Sequence, residues 1–342
     1  MSREEVRSMA EQFNYSSILA PYIQRLVDMK NSAGYSSLRL KWMLKEFDDF
    51  AISMGLADPH ITEDFIKRWR ETRTADTDQT VYAKYSAWNM LTTMMNRIGV
   101  ICFIPRLPRM PKSTFTPYIF TEQQIADIFK VADDIRLYDI RMGTVTIVLP
   151  VIFRLLYSTG LRVSEAISLK NEDVNLVEGY LTVRKTKNGS ERIVALCDSM
   201  KEALDMYLTY RNKMPIVGID GPDSPLFVKT DGTVFTSGTV YANFRRILDK
   251  CGIQHGGRNV GPCVHSLRHT SACHALGQMA KNGMDIYAAL PIISASLGHH
   301  SLAATEQYVR LTQAMYPEIG EQCSQINAFV HPKLCPSYDY VD

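Results

Sequence analysis

The first hundred residues carry hydrophobic side chains at helical spacing and contain no clear run in which apolar and polar residues alternate. Asp58-Pro59 interrupts this pattern, and Thr62 with the two acidic residues after it is typical of a helix start. Helices are predicted over residues 17–30, from residue 36 to about 50, from residue 62 onward and over 78–97. This part of the chain is therefore predicted to be all-α.

Regularly spaced prolines separate the helical part from the rest of the chain. Every third residue from 105 to 111 is a proline, which favours the extended, polyproline-like conformation of a linker. The basic residues of this segment also make it a candidate strap along a polyanion: Arg106, Arg109 and Lys112. We expect a helical domain over residues 1–104, a linker over 105–117 and a second domain over 118–342.

The second part of the chain mixes helical and strand signals. A capping box at residues 121–124 predicts the start of a helix. Two β-rich segments, 180–184 and 191–196, flank the turn signal Asn188-Gly189 and predict a hairpin. A shorter strand pair is expected around 226–235. The predicted fold class is mostly α with a small antiparallel β-sheet, so the second domain is α+β.

Composition excludes several classes of protein. The 342 residues exceed what one hydrophobic core usually supports, which agrees with two domains, and the net charge of +2 does not by itself indicate a nucleic-acid binder. The longest largely apolar run, 143–153, is too short for the ~20 residues of a membrane span. No secretory signal is recognisable at the N-terminus. Seven scattered cysteines without a Cys-x-x-Cys pair argue against a disulfide scaffold and favour a reducing cytosol.

The first candidate for chemistry is an arginine in a helix–helix corner. Gly160 is expected to end the apolar helix before it, so Arg162 lies in a sharp turn where its side chain is held rigidly. Glu165 is close enough in sequence to support the guanidinium group. An arginine in this position is either a structural ion pair or a functional cation.

A second candidate is the run of histidines and arginine from His265 to His269. His265 and Arg268 share one helix face, and His265 and His269 have the spacing of a two-histidine zinc site. A zinc protease would have glutamate at position 266, where this chain has Ser266. The zinc alternative stays open, with Cys263, Cys273 or His299 as a conceivable third ligand.

A third candidate combines His299 with Tyr308. Gly298 is expected to end one helix, and Tyr308 lies on the next. Two arginines, several imidazoles, a lysine in the predicted hairpin and a tyrosine together suit the attack of a phenol on a phosphodiester. Arginines match phosphoryl oxygens and stabilise the developing charge. A tyrosine needs such cationic surroundings to act as a nucleophile, and a lysine can protonate the leaving oxygen.

These motifs resemble the tyrosine recombinase family, which includes the phage integrases and the Xer-like recombinases. Thr159-Gly-Leu-Arg-Val-Ser-Glu165 is similar to the family's first arginine motif, and His265-Ser-Leu-Arg268 to its His-x-x-Arg motif. Leu297-Gly-His299, with Tyr308 nine residues later, is similar to the terminal box. The helical part resembles the core-binding domain, and residues from about 118 onward resemble the catalytic domain.

The resemblance implies a role for each matching residue. Arg162 and Arg268 would clamp the phosphate, with His265 as general acid/base partner between them and Glu165 in support. His299 would donate to the phosphate, and Tyr308 would be the nucleophile. Lys187 in the hairpin is preferred over Lys185 as the catalytic lysine. No cofactor and no metal are implied.

The resemblance also implies partners and a place of action. The expected activity is site-specific recombination of double-stranded DNA through a 3′-phosphotyrosyl intermediate, for integration, excision or transposition of a mobile element. A two-domain DNA clamp, a homo-tetramer that exchanges a C-terminal tail over 312–342, and accessory DNA-bending proteins are implied, acting in the cytoplasm at the prokaryotic nucleoid and not at a membrane. Arg245 and Arg246 join the basic linker residues as candidate DNA contacts.

Several alternatives remain. An Xer-like resolvase, a type IB topoisomerase-like enzyme, a catalytically silent DNA-binding relative and a zinc hydrolase would each use some of these residues. The helical domain begins near the first residue, so an additional arm-binding domain is not expected. Pro291 is expected to interrupt the helix before the terminal box or to start a new one. Tyr316 is the alternative nucleophile.

Overall fold

The computed structural model describes residues 13–35, 38–111, 116–135, 147–184, 191–229, 231–256, 261–299 and 301–316, and only the main chain of residues 303 and 304. The chain forms two compact units, Met1–Phe115 and Thr116–Asp342. The boundary between the units falls inside the segment expected to be a linker. In the described ranges, no helix has the length and apolar character needed to cross a membrane.

The first unit is helical, as predicted. Thr62 and Thr77 each accept a hydrogen bond from the main chain of the helix that follows, which explains where those helices begin. The fourth helix has the bounds expected from the sequence, and the others differ by a few residues. The helices are α1 (Ala20–Ser32), α2 (Leu38–Ser53), α3 (Glu63–Glu71) and α4 (Asp78–Arg97).

Aromatic side chains fill the core of the first unit. The rings of Phe47 and Trp88 stack with centroids 3.8 Å apart, and Trp69 meets both rings edge-on. All three side chains are fully buried. After α4 the chain has no helix or strand from residue 100 to 111, which agrees with the predicted linker. Arg106 and Arg109 are exposed there, and Lys112 lies outside the described residues.

The second unit begins with the predicted capping box, in which Thr121 and Gln124 exchange hydrogen bonds. Its core surrounds two largely buried helices, α6 and α10. Helix α10 packs against α6, α11 and α12, and it therefore places its own side chains beside the ends of those helices. The helices are α5 (Glu122–Asp133), α6 (Val148–Thr159), the single turn α7 (Val163–Ala166), α8 (Asp198–Arg211), α9 (Ser237–Lys250), α10 (Val264–Lys281), α11 (Ile286–Leu297) and α12 (Ala303–Met315).

The predicted hairpin is confirmed as part of a three-stranded antiparallel sheet. Its strands are β1 (Val174–Asn175), β2 (Tyr180–Val183) and β3 (Arg192–Ala195), in the order β1-β2-β3. Val183 and Arg192 form the last described pair before the turn. The turn with Asn188-Gly189, and with it Lys185 and Lys187, lies outside the described residues. Strand β1 was not predicted, because two residues are too few to show a periodicity.

The strand pair expected over 226–235 is too long. Among the described residues of this segment, it is reduced to a single antiparallel bridge between Val228 and Val234. The Asp231 carboxylate binds the main chain and the hydroxyl of Thr233 in the turn, and Thr236 already caps α9.

The expected break at Pro291 is also wrong, because α11 continues through this residue. A proline in a helix lacks the N–H that would bind the carbonyl four residues earlier, here that of Tyr287. Both Pro291 and Tyr287 lie on the exposed side of the helix, where water can bind the carbonyl. The helix therefore ends at Gly298, as expected from the sequence.

Gly160 should not tolerate a side chain. It ends α6 with a φ of 62°, and a Cβ atom there would lie 2.7 Å from Leu297 Cδ2. Gly160→Ala is expected to lower the free energy of unfolding by at least about 2 kcal/mol, from left-handed strain and overpacking together. Gly283→Ala is the matched control, since Gly283 has a φ of 84° but no atom within 4 Å of a Cβ. Equal losses in chemical denaturation would contradict the steric explanation.

Candidate active site

The guanidinium group of Arg268 joins the C-terminal ends of two helices. Arg268 lies on α10 with only 2% of its surface exposed. Its Nη1 donates to the carbonyl of Gly160 after α6 at 2.6 Å, and its Nη2 donates to the carbonyl of Leu297 at the end of α11 at 2.7 Å. Helix C-termini carry partial negative charge and so stabilise this buried cation. Burial and the neighbouring Arg162 lower its pKa to about 10, which leaves it charged at neutral pH.

His299 connects Arg268 to the start of α12. Its Nε2 lies 3.0 Å from Arg268 Nη2, and its Nδ1 lies 2.8 Å from Thr305 Oγ1. An arginine only donates hydrogen bonds, so Nε2 is the acceptor and the hydrogen of the neutral ring is assigned to Nδ1. Burial, with the charges of the nearby arginines, lowers the pKa of His299 to about 4. Donation from Nε2 to a phosphate would require protonation or exchange of this bond.

Arg162 is held by the carboxylate of Glu165. The main-chain N–H and Nη1 of Arg162 donate to the two carboxylate oxygens at 3.0 and 2.8 Å. Arg192 donates to the same carboxylate through Nη2 at 2.8 Å, and its Nε donates to the carbonyl of Ser296. Burial raises the pKa of Glu165, but the hydrogen bonds from Arg192 and from the main chain of Arg162 outweigh burial and hold this pKa below its usual value.

Arg192 was not predicted from the sequence. Strand β3 alternates, with Ile193 exposed and Val194 buried, so Arg192 lies on the same inward face as Val194. An arginine on the apolar face of a predicted strand is the signal that could have identified it. Through Arg192 the base of the hairpin is tied to the turn that carries His299.

Tyr308 is buried in α12 with 1% of its surface exposed. Its hydroxyl oxygen lies 2.9 Å from Nδ1 of His269, and its ring stacks with that of His299. Burial raises the pKa of Tyr308 to about 12, although the positive charges of Arg268 and Arg162 act in the opposite direction. Tyr308 is therefore a phenol at neutral pH.

His265 lies one helical turn before His269, with ring centroids 4.8 Å apart. Burial, followed by the charges of Arg268 and Arg162, lowers its pKa to about 4, so the ring is neutral at pH 7. Within the described ranges, no group of three His, Cys, Asp or Glu side chains could hold a metal ion. His269, weighed from the sequence only as a zinc ligand, instead contacts Tyr308.

Arg245 and Arg246, predicted as DNA contacts, lie on the exposed side of α9, whose opposite side is buried.

The structure brings most of the predicted site residues together around Arg268. The candidates in this cluster are Arg162, Glu165, His265, Arg268, His299 and Tyr308. The cluster holds three guanidinium groups, counting Arg192, and two of them, those of Arg162 and Arg192, share the Glu165 carboxylate. Such a site can bind an anion beside a phenol.

Comparison with known proteins identifies the class. A model of the phage integrase family matches residues 119–315. The chain therefore belongs to this family: it is a tyrosine recombinase, a class of enzyme that cleaves and rejoins DNA strands.

The relatives include both an integrase/recombinase and Xer recombinases. The putative integrase/recombinase y4rB of Sinorhizobium fredii is 27% identical over 84% of this chain and 91% of that protein. Tyrosine recombinase XerA of Pyrococcus furiosus is 32% identical over 66% of this chain and 68% of that protein. The XerH site-specific recombinase, solved on its palindromic difH substrate after cleavage, shares the fold with a TM-score of 0.61 at 18% identity, over 87% of this chain and 84% of that one.

Arg192 is expected to contribute to both stability and activity. Arg192→Met removes one of the two cations that hold the buried Glu165 carboxylate, which should lower the free energy of unfolding by about 2–3 kcal/mol. The single-turnover rate of DNA cleavage should fall at least tenfold, because the substitution removes the hydrogen bonds to the Glu165 carboxylate, which holds Arg162, and to the Ser296 carbonyl. Chemical denaturation and a cleavage assay measure the two effects.

Arg184→Met is the matched control for Arg192. Arg184 follows the neighbouring strand and pairs with Asp173 at 2.6 Å, but 46% of its side chain is exposed. The Asp173 carboxylate is itself buried but also accepts a hydrogen bond from the main-chain N–H of Lys170, so Arg184→Met should lower the free energy of unfolding less than Arg192→Met does and leave the cleavage rate close to that of the parent protein. A larger loss for Arg184→Met than for Arg192→Met would contradict the assignment.

Proposed function

We propose that this chain is a site-specific DNA recombinase that joins a DNA 3′-phosphate covalently to Tyr308. The observation that carries the proposal is the burial of the Tyr308 hydroxyl in a cluster where Arg162 and Arg268 both act on its pKa. A cationic site that already contains a buried phenol suits a phosphodiester, whose charge would balance the excess of guanidinium groups.

Each residue of the cluster then has a role. Arg162 and Arg268 bind the phosphoryl oxygens, supported by Glu165, and His265 is the acid/base partner between them. His299 completes the phosphate contacts. As the Tyr308 oxygen bonds to phosphorus, the phenol passes its proton to the acid/base partner His265, whose neutral ring can accept it, and the P–O5′ bond breaks with its electron pair on the leaving 5′-oxygen.

The leaving group also needs a proton. We assign Lys187, in the hairpin turn, as the acid that protonates the leaving 5′-oxygen. In the second half of the reaction a 5′-hydroxyl attacks the phosphotyrosine and frees Tyr308. Each bond broken is replaced by one of the same kind, so the reaction needs no external energy source.

Double-stranded DNA is the proposed partner. The structures of XerH on difH support this, and the exposed basic residues Arg106, Arg109, Arg245 and Arg246 are the proposed phosphate contacts. Exchange of two strand pairs requires four active sites, so we propose a homo-tetramer on DNA, linked by a C-terminal tail and assisted by DNA-bending proteins.

The proposed tail begins later than residue 312. Helix α12 runs to Met315, and Thr312 is buried against the Cys273 carbonyl in the same unit. The ring of Tyr316 lies against Gly277, where a Cβ atom would meet it at 2.7 Å. Residues 312–316 therefore belong to the body of the second unit. Any exchanged segment starts after them, in residues that lie outside the described ranges.

Integration, excision or transposition of a mobile element is the proposed biological role. The match to the integrase/recombinase y4rB over most of both chains supports this role. Action as an Xer-like resolvase is the second candidate, and the greater identity to tyrosine recombinase XerA favours it.

Covalent trapping tests the proposal. A duplex selected from a random pool by binding to the full chain would be resynthesised with single nicks at successive positions and incubated with protein in EDTA. We expect a protein–DNA adduct at a 3′ end on a denaturing gel. Tyr308→Phe should bind this duplex with unchanged affinity and form no adduct, since it lacks the attacking oxygen. Tyr316→Phe is the control and should form the adduct normally. An adduct that survives in Tyr308→Phe would place the nucleophile elsewhere.

A better leaving group tests the lysine assignment. Lys187→Ala should slow adduct formation at least a hundredfold on ordinary DNA, because general acid catalysis contributes about 10²–10⁴-fold. A 5′-bridging phosphorothiolate needs no acid and should restore the rate. Lys185→Ala is the matched variant and should behave like the parent protein on both substrates. The reverse pattern would assign the acid to Lys185.

A further inference from the structure

His269 touches the proposed nucleophile directly, although no role follows for it from the motifs. Its Nδ1 lies 2.9 Å from the Tyr308 hydroxyl oxygen, between residues 39 apart in sequence. Both side chains are buried, His269 with 8% and Tyr308 with 1% of the surface exposed. A hydrogen bond between buried groups is directional and is not exchanged for water.

The chemistry of the surrounding groups determines which atom donates. The charged groups that act most on the Tyr308 hydroxyl are Arg268 and Arg162, and arginines cannot accept a hydrogen bond. If His269 Nδ1 carried a hydrogen, the buried phenol hydrogen would have no acceptor among the contacts described for it, at a cost of about 1–3 kcal/mol. Tyr308 is therefore the donor and His269 Nδ1 the acceptor.

The ring of His269 stays neutral, and its Nδ1 can therefore accept a hydrogen bond. Burial, with the charges of His265 and Arg268, lowers its pKa to about 3, so it is neutral throughout the physiological range. Its position is fixed by α10, on which Arg268 is the preceding residue. The same helix thus holds the hydrogen-bond acceptor for the phenol and the guanidinium group that would bind the phosphate.

We propose that His269 is a positioning residue for Tyr308, which draws the hydroxyl hydrogen to one side and leaves the oxygen lone pairs directed toward the arginines and the phosphate. This rests on the proposed function of Tyr308 as nucleophile. Attack requires a lone pair aligned with phosphorus, and a phenol that rotates freely would present its hydrogen for part of the time. The hydrogen bond to His269 prevents the Tyr308 hydroxyl from directing its hydrogen toward the phosphorus.

A second histidine–tyrosine pair on α10 provides an internal control. His274 Nδ1 lies 2.8 Å from the hydroxyl of Tyr157, with a partly buried ring and a T-shaped approach, whereas the rings of His269 and Tyr308 are tilted by 48°. This pair uses the same atoms but does not include the nucleophile. Loss of its hydrogen bond should affect stability without affecting cleavage.

The experiment compares two substitutions at His269 in the full chain, on the nicked duplex that traps the parent protein. His269→Leu fills the space but cannot accept a hydrogen bond. His269→Asn places an amide oxygen close to the position of Nδ1 and cannot act as a base at this pH. We measure DNA affinity, melting temperature and the single-turnover rate of adduct formation at saturating DNA.

The expected pattern is a tenfold or greater loss of adduct rate for His269→Leu, with DNA affinity within twofold, and a rate within about threefold of the parent for His269→Asn. His274→Leu should lower the melting temperature without lowering the adduct rate. An undiminished rate for His269→Leu would overturn the proposal, and so would a folded His269→Asn protein as slow as His269→Leu. If His269→Leu does not fold, the rate of His269→Asn alone decides.

Failure of the function proposed for Tyr308 can be distinguished from failure of the role proposed for His269. If the parent protein forms no adduct, or if Tyr308→Phe still forms one, then the assignment of Tyr308 is wrong. If the parent forms a Tyr308-dependent adduct that is indifferent to His269, only the positioning role is wrong.

Discussion

The active site depends on one buried guanidinium group that binds two helix ends. Arg268 occupies a position where the carbonyls of Gly160 and Leu297 converge, and it is the donor to both. Carbonyls at the end of a helix have no N–H partner within that helix. These two carbonyls therefore accept hydrogen bonds from the buried guanidinium group, which in turn needs acceptors. The turns that follow carry Arg162 and His299. The same interaction that closes the core therefore fixes the position of both turns, and with them the groups proposed to bind phosphate.

Burial is the main cause of the protonation states of the site. It lowers the pKa of His265, His269 and His299, and the positive charge of Arg268 acts in the same direction on all three, so these rings are neutral at pH 7. Neutral imidazoles can accept hydrogen bonds, as His299 does from Arg268. Burial also keeps Tyr308 a phenol, since it disfavours the anion more than the arginines favour it. A bound phosphodiester would change this balance by supplying negative charge where the protein has little.

Arg192 connects parts of the site that are far apart in the chain. It reaches from β3 to the Glu165 carboxylate and to the Ser296 carbonyl, so it links the sheet, the corner with Arg162 and the end of α11. Gly298 lies against this guanidinium group, and a Cβ atom there would approach Nη1 to 2.9 Å. The glycine in the terminal motif is therefore needed for space as well as for its positive φ.

The sequence by itself determined the features that depend on near neighbours. Helix caps, the hairpin, the helix ends at Gly160 and Gly298 and the motif residues could all be identified, because spacing and backbone preference act over a few residues. Tertiary structure alone decided that His269 contacts Tyr308, that Arg192 shares Glu165 with Arg162, and that α11 passes through Pro291. These outcomes depend on which distant segments meet and on how much water each group loses, and neither quantity can be obtained from local spacing.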